Sequence, residues 1–181
     1  TGAEPLPVVS IGNDAVTLRF VPALGGRLVS MVDKKTGLEL MAPQDLRVDA
    51  YPASGGYYDN IGKSTSEPGA QGAYEAERSV TPSGEQVTLK RDLGNGLRLE
   101  RTIVVPPGDE RNVMVTSRLV NAGSAPQRAM LQVHPEVRAG EFEDCRLVAT
   151  LADGSRIDDP FTVHPEGRWW SHDLSGDKLP D

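Results

Sequence analysis

The chain has 181 residues, 38% of them hydrophobic and 25% charged, with a formal charge of −7 at neutral pH. A chain of this size folded as one domain buries roughly 70% of its unfolded surface, enough to stand without disulfide or metal staples. The acidic balance argues against a nucleic-acid partner, which needs clustered Lys and Arg, and no run approaches the ~20 apolar residues that span a bilayer. One domain over 1–181 is therefore the expectation. The start, Thr1-Gly2-Ala3-Glu4-Pro5, has neither an initiator Met nor a signal peptide, which suggests a mature end or a piece of a longer protein. Cys145 has no second cysteine to pair with and no neighbouring His to activate it, so a structural role is expected.

Apolar alternation at period two recurs along most of the chain, the pattern of half-buried strands. Val16, Leu18 and Phe20 alternate with Thr17 and Arg19 until Pro22. Leu28, Ser30 and Val32 form the next strand. The turn Asp33-Lys34-Lys35-Thr36-Gly37, with Gly37 in the left-handed position, leads to a further strand at Leu38–Met41. From Gln44 to Gly72 the pattern breaks, and an irregular connection with one short strand at Leu46–Val48 is expected. A meander follows. Its strands are Tyr74–Val80, Gln86–Lys90, Leu97–Val105, Asn112–Val120 and Gln127–His134, with Arg146–Leu151 after them, and Gly, Pro and Asn clusters mark the turns between. Such spacing points to an antiparallel all-β sandwich or barrel.

Side chains two apart on a strand share a face, so parity sorts these runs. Leu97, Leu99, Ile103 and Val105 oppose Arg98, Glu100 and Thr102. Val113, Val115 and Leu119 oppose Met114, Thr116 and Arg118. Ala129, Leu131 and Val133 oppose Met130, Gln132 and His134, and Glu136 joins the latter if the strand stays regular through Pro135. Three successive strands would thus share one apolar and one polar side. An ordinary solvated sheet surface gives the same pattern; a hollowed polar floor would hydrogen-bond sugar hydroxyls, with His134 between Gln132 and Glu136 placed for proton transfer.

The second candidate is Ser54-Gly55-Gly56-Tyr57-Tyr58-Asp59-Asn60. Its glycines allow close backbone approach, Tyr57 and Tyr58 can stack on a pyranose, and Asp59 and Asn60 offer hydrogen bonds. Tyrosines that merely tack down a surface loop are the alternative. The third is Trp169-Trp170, where Trp169 would be a sugar platform or part of a core edge. His164, His172 and Asp173 lack metal-ligand spacing, so no metal is expected.

The stretch Val16–Asp33, with Pro22-Ala23-Leu24-Gly25-Gly26-Arg27 between its strands and Thr36-Gly37 after them, resembles the opening hairpin of galactose mutarotase-like (aldose 1-epimerase) domains. Accessory sandwich domains of glycoside hydrolases share this motif. The later order is similar too: a Gly-Gly loop, a meander, then a strand ending in His, here Leu131-Gln132-Val133-His134. The resemblance implies an antiparallel β-sandwich of supersandwich type, incomplete at its C-terminus because that family's domain is longer. It further implies carbohydrate as partner, no cofactor, and His134 as the general acid on the ring oxygen. Arg27 emerges beside the Gly-Gly turn and enters the binding set with Tyr57, Tyr58, Asp59, Asn60, Gln132, Glu136 and Trp169. Two departures stand out: Pro135-Glu136 replaces the aromatic pair that follows the family His, and Tyr57-Tyr58 stand where an earlier His is usual. The expected function is a carbohydrate-interacting domain accessory to a glycoside-processing enzyme. The alternatives are an epimerase-type enzyme using general acid–base catalysis and a structural sandwich packed on a neighbouring catalytic domain.

Overall fold

The computed structural model describes residues 5–41, 55–61, 72–94, 96–138, 146–150 and 154–160, and every regular element among them is a β-strand. The chain divides into two units, Thr1–Arg138 and Ala139–Asp181. The first holds β1 (Val9–Gly12), β2 (Val16–Val21), β3 (Arg27–Asp33), β4 (Gly56–Ile61), β5 (Glu75–Thr81), β6 (Gly84–Asp92), β7 (Leu97–Val105), β8 (Met114–Asn121) and β9 (Leu131–Glu136). The second contains a two-stranded antiparallel pair, β10 (Arg146–Thr150) and β11 (Arg156–Pro160).

The first unit is a β-sandwich of two antiparallel sheets, one ordered β1-β2-β3-β4-β9 and the other β5-β6-β7-β8. The alternating runs explain why they stack. Ile11, Val16, Leu18, Phe20 and Leu28 from the first sheet share a buried cluster with Val87, Leu89, Leu99, Ile103 and Val105 from the second. Each fully buried aliphatic or aromatic side chain there contributes about 1.5–3 kcal/mol.

The β2–β3 connection is the Gly-Gly turn. Gly25 and Gly26 have φ of 68° and 59°, a region costly for residues with a Cβ. A Cβ on Gly26 would also lie 3.1 Å from the Tyr74 ring and 3.3 Å from Leu89. The turn is tied to the segment before β5, since Gly25 N donates to Gly72 O at 2.8 Å and Tyr74 N to Pro22 O at 2.9 Å. Arg27 therefore opens β3 at a fixed point.

Several expectations need correction. The stretch 44–72 contains a strand, β4, because Tyr57, Tyr58 and Ile61 favour extended backbone while burial on both faces hides any alternation. Leu46–Val48 lies outside the described residues, as do Cys145, His164, His172 and the Trp169 region. Gly37 is left-handed, with φ of 71°, but the strand expected at Leu38–Met41 is reduced to two isolated bridges, Val32↔Glu39 and Met41↔Val137. Those bridges put Leu38–Met41 end to end with β4, both lying between β3 and β9. The strand expected from Gln127 starts only at Leu131.

The shared polar side of three successive strands also fails, because β9 leaves the meander and joins the other sheet. Val115 and Val133 keep the core-facing parity, opposite Ile103 and Asp59 respectively, yet are 40% and 51% exposed. Each lies on the last strand of its sheet, so parity survives there while cover does not. Ala129, expected inward, is exposed as well.

Candidate functional site

The polar residues of β3, β4 and β9 assemble on the outer face of the five-stranded sheet. β4 pairs antiparallel with β9 through Gly56↔Glu136, Tyr58↔His134 and Asn60↔Gln132. Directly opposed side chains share a face, so Tyr58, Asn60, Gln132, His134 and Glu136 lie together. The ladder runs straight through Pro135, which is tolerated because β9 is an edge strand. Arg27 joins them from β3: its neighbour Leu28 pairs with Tyr57 on the core face, which turns Arg27 toward Tyr58.

The contacts are specific. The Arg27 guanidinium lies 4.5 Å from the Tyr58 ring centroid, a cation–π geometry. The Tyr58 and His134 rings meet edge to face, with centroids 4.9 Å apart. His134 Nε2 stands 3.8 Å from Glu136 Oε1, an ion pair when the imidazole is protonated. Arg27 Nη1 donates to Gly55 O at 3.4 Å, and Gly55 N donates to Glu136 Oε2 at 2.9 Å. A cation and an anion thus clip both polar groups of one glycine, whose φ of 64° suits few other residues.

Accessibility is graded across the face. Tyr58 and Asn60 are buried, Arg27 is nearly so, His134 and Glu136 are partly exposed, and Gln132 is exposed. Burial pulls the Arg27 pKa down, while electrostatic interaction with Tyr58 and Glu136 opposes that shift. An arginine stays protonated through any such shift at ordinary pH. With Arg27 positive and Glu136 negative, the face is electrically balanced while the imidazole is neutral. It offers hydrogen-bond donors, acceptors and an imidazole.

Tyr57 and Asp59, expected to converge with His134, turn the other way into the sandwich. Asp59 Oδ2 accepts from Arg101 Nε at 2.8 Å and from the Ser117 hydroxyl, and Tyr57 OH bonds Asp59 Oδ1 at 3.3 Å. Arg101 Nη1 donates to Gly26 O at 2.9 Å, tying β7 to the Gly-Gly turn. Asp59 and Arg101 are both fully buried. This is an ion pair that joins the two sheets, and solvent does not reach it. Arg101 and Ser117 were absent from the expected site. The available signal was parity: Arg101 sits in the inward series Leu97, Leu99, Ile103 and Val105, where a charge needs a buried partner.

Burial, seconded by the Asp59 charge, pushes the Tyr57 phenol up to about 12 from 10.0. A raised folded pKa means this contribution to stability is complete below pH 10.0 and lost as pH climbs through about 12. Difference absorbance titration of wild type against Tyr57→Phe should show the missing phenol ionising near pH 12. A missing step centred at pH 10.0 would contradict the burial argument.

Arg27, Tyr58, Asn60, Gln132, His134 and Glu136 are therefore brought together, Tyr57 and Asp59 are directed to the core, and Trp169 is outside the described residues. No protein-family model matches the chain, and no curated protein sequence is similar to it.

Proposed function

We propose that the chain is a carbohydrate-interacting β-sandwich domain of galactose mutarotase-like type, accessory to a glycoside-processing enzyme. The face built on Arg27, Tyr58, Asn60, Gln132, His134 and Glu136 is its sugar-binding floor. The observation that carries this reading is the direct pairing of Tyr58 with His134 and of Asn60 with Gln132, beside Arg27 and Glu136. It concentrates donors and acceptors of balanced charge around half-open ground, which suits a neutral polyol better than an ion.

The test is NMR titration of the labelled chain with galactose and with glucose. Amide shifts at Gln132, His134 and Glu136 should saturate, and His134→Ala should weaken binding at least about tenfold, or ~1.4 kcal/mol. Saturating sugar that leaves those amides unmoved would sink the proposal. Polarimetry on the same samples should find α/β interconversion no faster than in buffer. Acceleration lost in His134→Ala would instead make the domain an acid–base enzyme, the role that the His134–Glu136 approach allows.

A second reading, a sandwich that buttresses a neighbouring catalytic domain, draws on the exposed valines. Val115 and Val133 face coreward yet remain open, and Met114 and Val137 are 51% and 53% exposed. Both readings are compatible with an accessory role.

A further inference from the structure

A separate feature lies at one end of the four-stranded sheet. The β5–β6 ladder ends at Glu75↔Lys90, whereas β6 runs on against β7 through Arg91↔Leu99 and Asp92↔Arg98. β6 thus overruns β5 by Arg91 and Asp92, and a cavity of about 500 Å³ opens there, lined by Ala73, Glu75, Lys90, Arg91, Asp92 and Arg98. It shares no residue with the face built on Arg27 and His134.

Arg91 is the unusual member. It continues the inward parity of Val87 and Leu89 at the end of the core, where the residue is half-buried. The guanidinium is held on two sides. Its carbon lies 5.9 Å from the Tyr74 ring centroid, and the Gly72 backbone packs so close that a Cβ there would sit 2.6 Å from Arg91 Nη2. Nη1 is buried without a hydrogen-bond partner among the described residues. A desolvated N–H of a charged group is costly to leave unmet, and a guanidinium packed on Tyr74 and Gly72 has little freedom left to lose on binding.

Charge arithmetic narrows the ligand. Among the lining residues Lys90 stands across from Glu75 and Arg98 lies 3.7 Å from Asp92, so two carboxylates offset two of the three cations. Arg91 supplies the remaining single positive charge. A phosphate dianion would be under-compensated beside two carboxylates, while a monocarboxylate matches. The polar rim and the cavity's volume suit a hydroxylated body of about monosaccharide size.

We infer that this cavity binds a small hydroxylated monocarboxylate of the sugar-acid class, its carboxylate taken by Arg91. The probe is sodium glucuronate, with glucose and inorganic phosphate as comparisons, titrated into the labelled full chain. Saturating amide shifts at Lys90, Arg91 and Arg98 are expected with glucuronate, and responses at least about tenfold weaker with glucose or phosphate. Arg91→Lys keeps a charge but loses the fork, so it should weaken glucuronate binding about tenfold or more. Because Arg91 packs against Tyr74, each variant is checked by thermal melt. Arg98→Gln alters only a rim charge, frees Asp92, and should weaken glucuronate about threefold without moving the melt. No shift at these amides, an equal response to phosphate, or binding indifferent to both variants would overturn the assignment.

Discussion

Asp59→Ala should lower the stability of the first unit by about 3–5 kcal/mol, the usual cost of stranding one half of a buried ion pair. Arg101 has no route to solvent, since both partners are fully buried, and the substitution removes the acceptor of its Nε and of the Ser117 and Tyr57 hydroxyls. At about 2–4 °C per kcal/mol for a protein of this size, the melting temperature should drop by roughly 6–20 °C. The double variant Asp59→Leu with Arg101→Met should recover most of the loss, because it removes both charges and fills similar volume. Denaturant unfolding of the three proteins checks this. A single-variant cost below about 1 kcal/mol, the range of an exposed pair, would show that water reaches the pair.

Gly84→Ala comes next in size. Gly84 opens β6 with φ of 124°, and a Cβ on it would lie 2.0 Å from the carbonyl oxygen of Val105, a backbone atom in the paired strand. The clash cannot be relieved by a side-chain rotation. Either the β6–β7 ladder shifts or the strand end frays, so a loss above about 2 kcal/mol is expected, strain and lost pairing together. Gly37→Ala is the control. Its φ of 71° is positive too, but it is close to the left-handed region and nothing lies within 4 Å, so it should cost only the ~1–2 kcal/mol of left-handed backbone. Equal losses at the two positions would show that neither the Val105 contact nor the wider φ of Gly84 adds a cost.

Legibility in the sequence tracked one-sidedness. β2, β6 and β7 were readable because each buries one face, so that Leu18 and Phe20, or Val87 and Leu89, alternate with polar neighbours. β4 was not readable, because Tyr58 and Asn60 are buried on one face and Asp59 on the other, which erases the period. The edge valines had the right parity, but local sequence does not say that β8 and β9 end their sheets. Five of the expected contact residues meet on one face because the β4–β9 register aligns them, and Arg27 joins through the β3–β4 pairing; no local pattern encodes either long-range contact. The same register sends Tyr57 and Asp59 away: a side chain in a strand cannot join both its neighbour's face and its own.

The shared track of Leu38–Met41 and β4 has an engineering consequence. Beside β9, Met41 stands opposite Val137 and Gly56 opposite Glu136, consecutive rungs of one ladder, so Met41 and Gly56 lie about one residue step apart. Closing a chain between such near points depends only weakly on its length, about 0.6 kcal/mol per doubling. Cassettes of varied size spliced between Met41 and Gly55 would therefore enter next to Arg27 and Glu136 while the strands keep their alignment. That makes the junction the natural place to graft new specificity onto the scaffold.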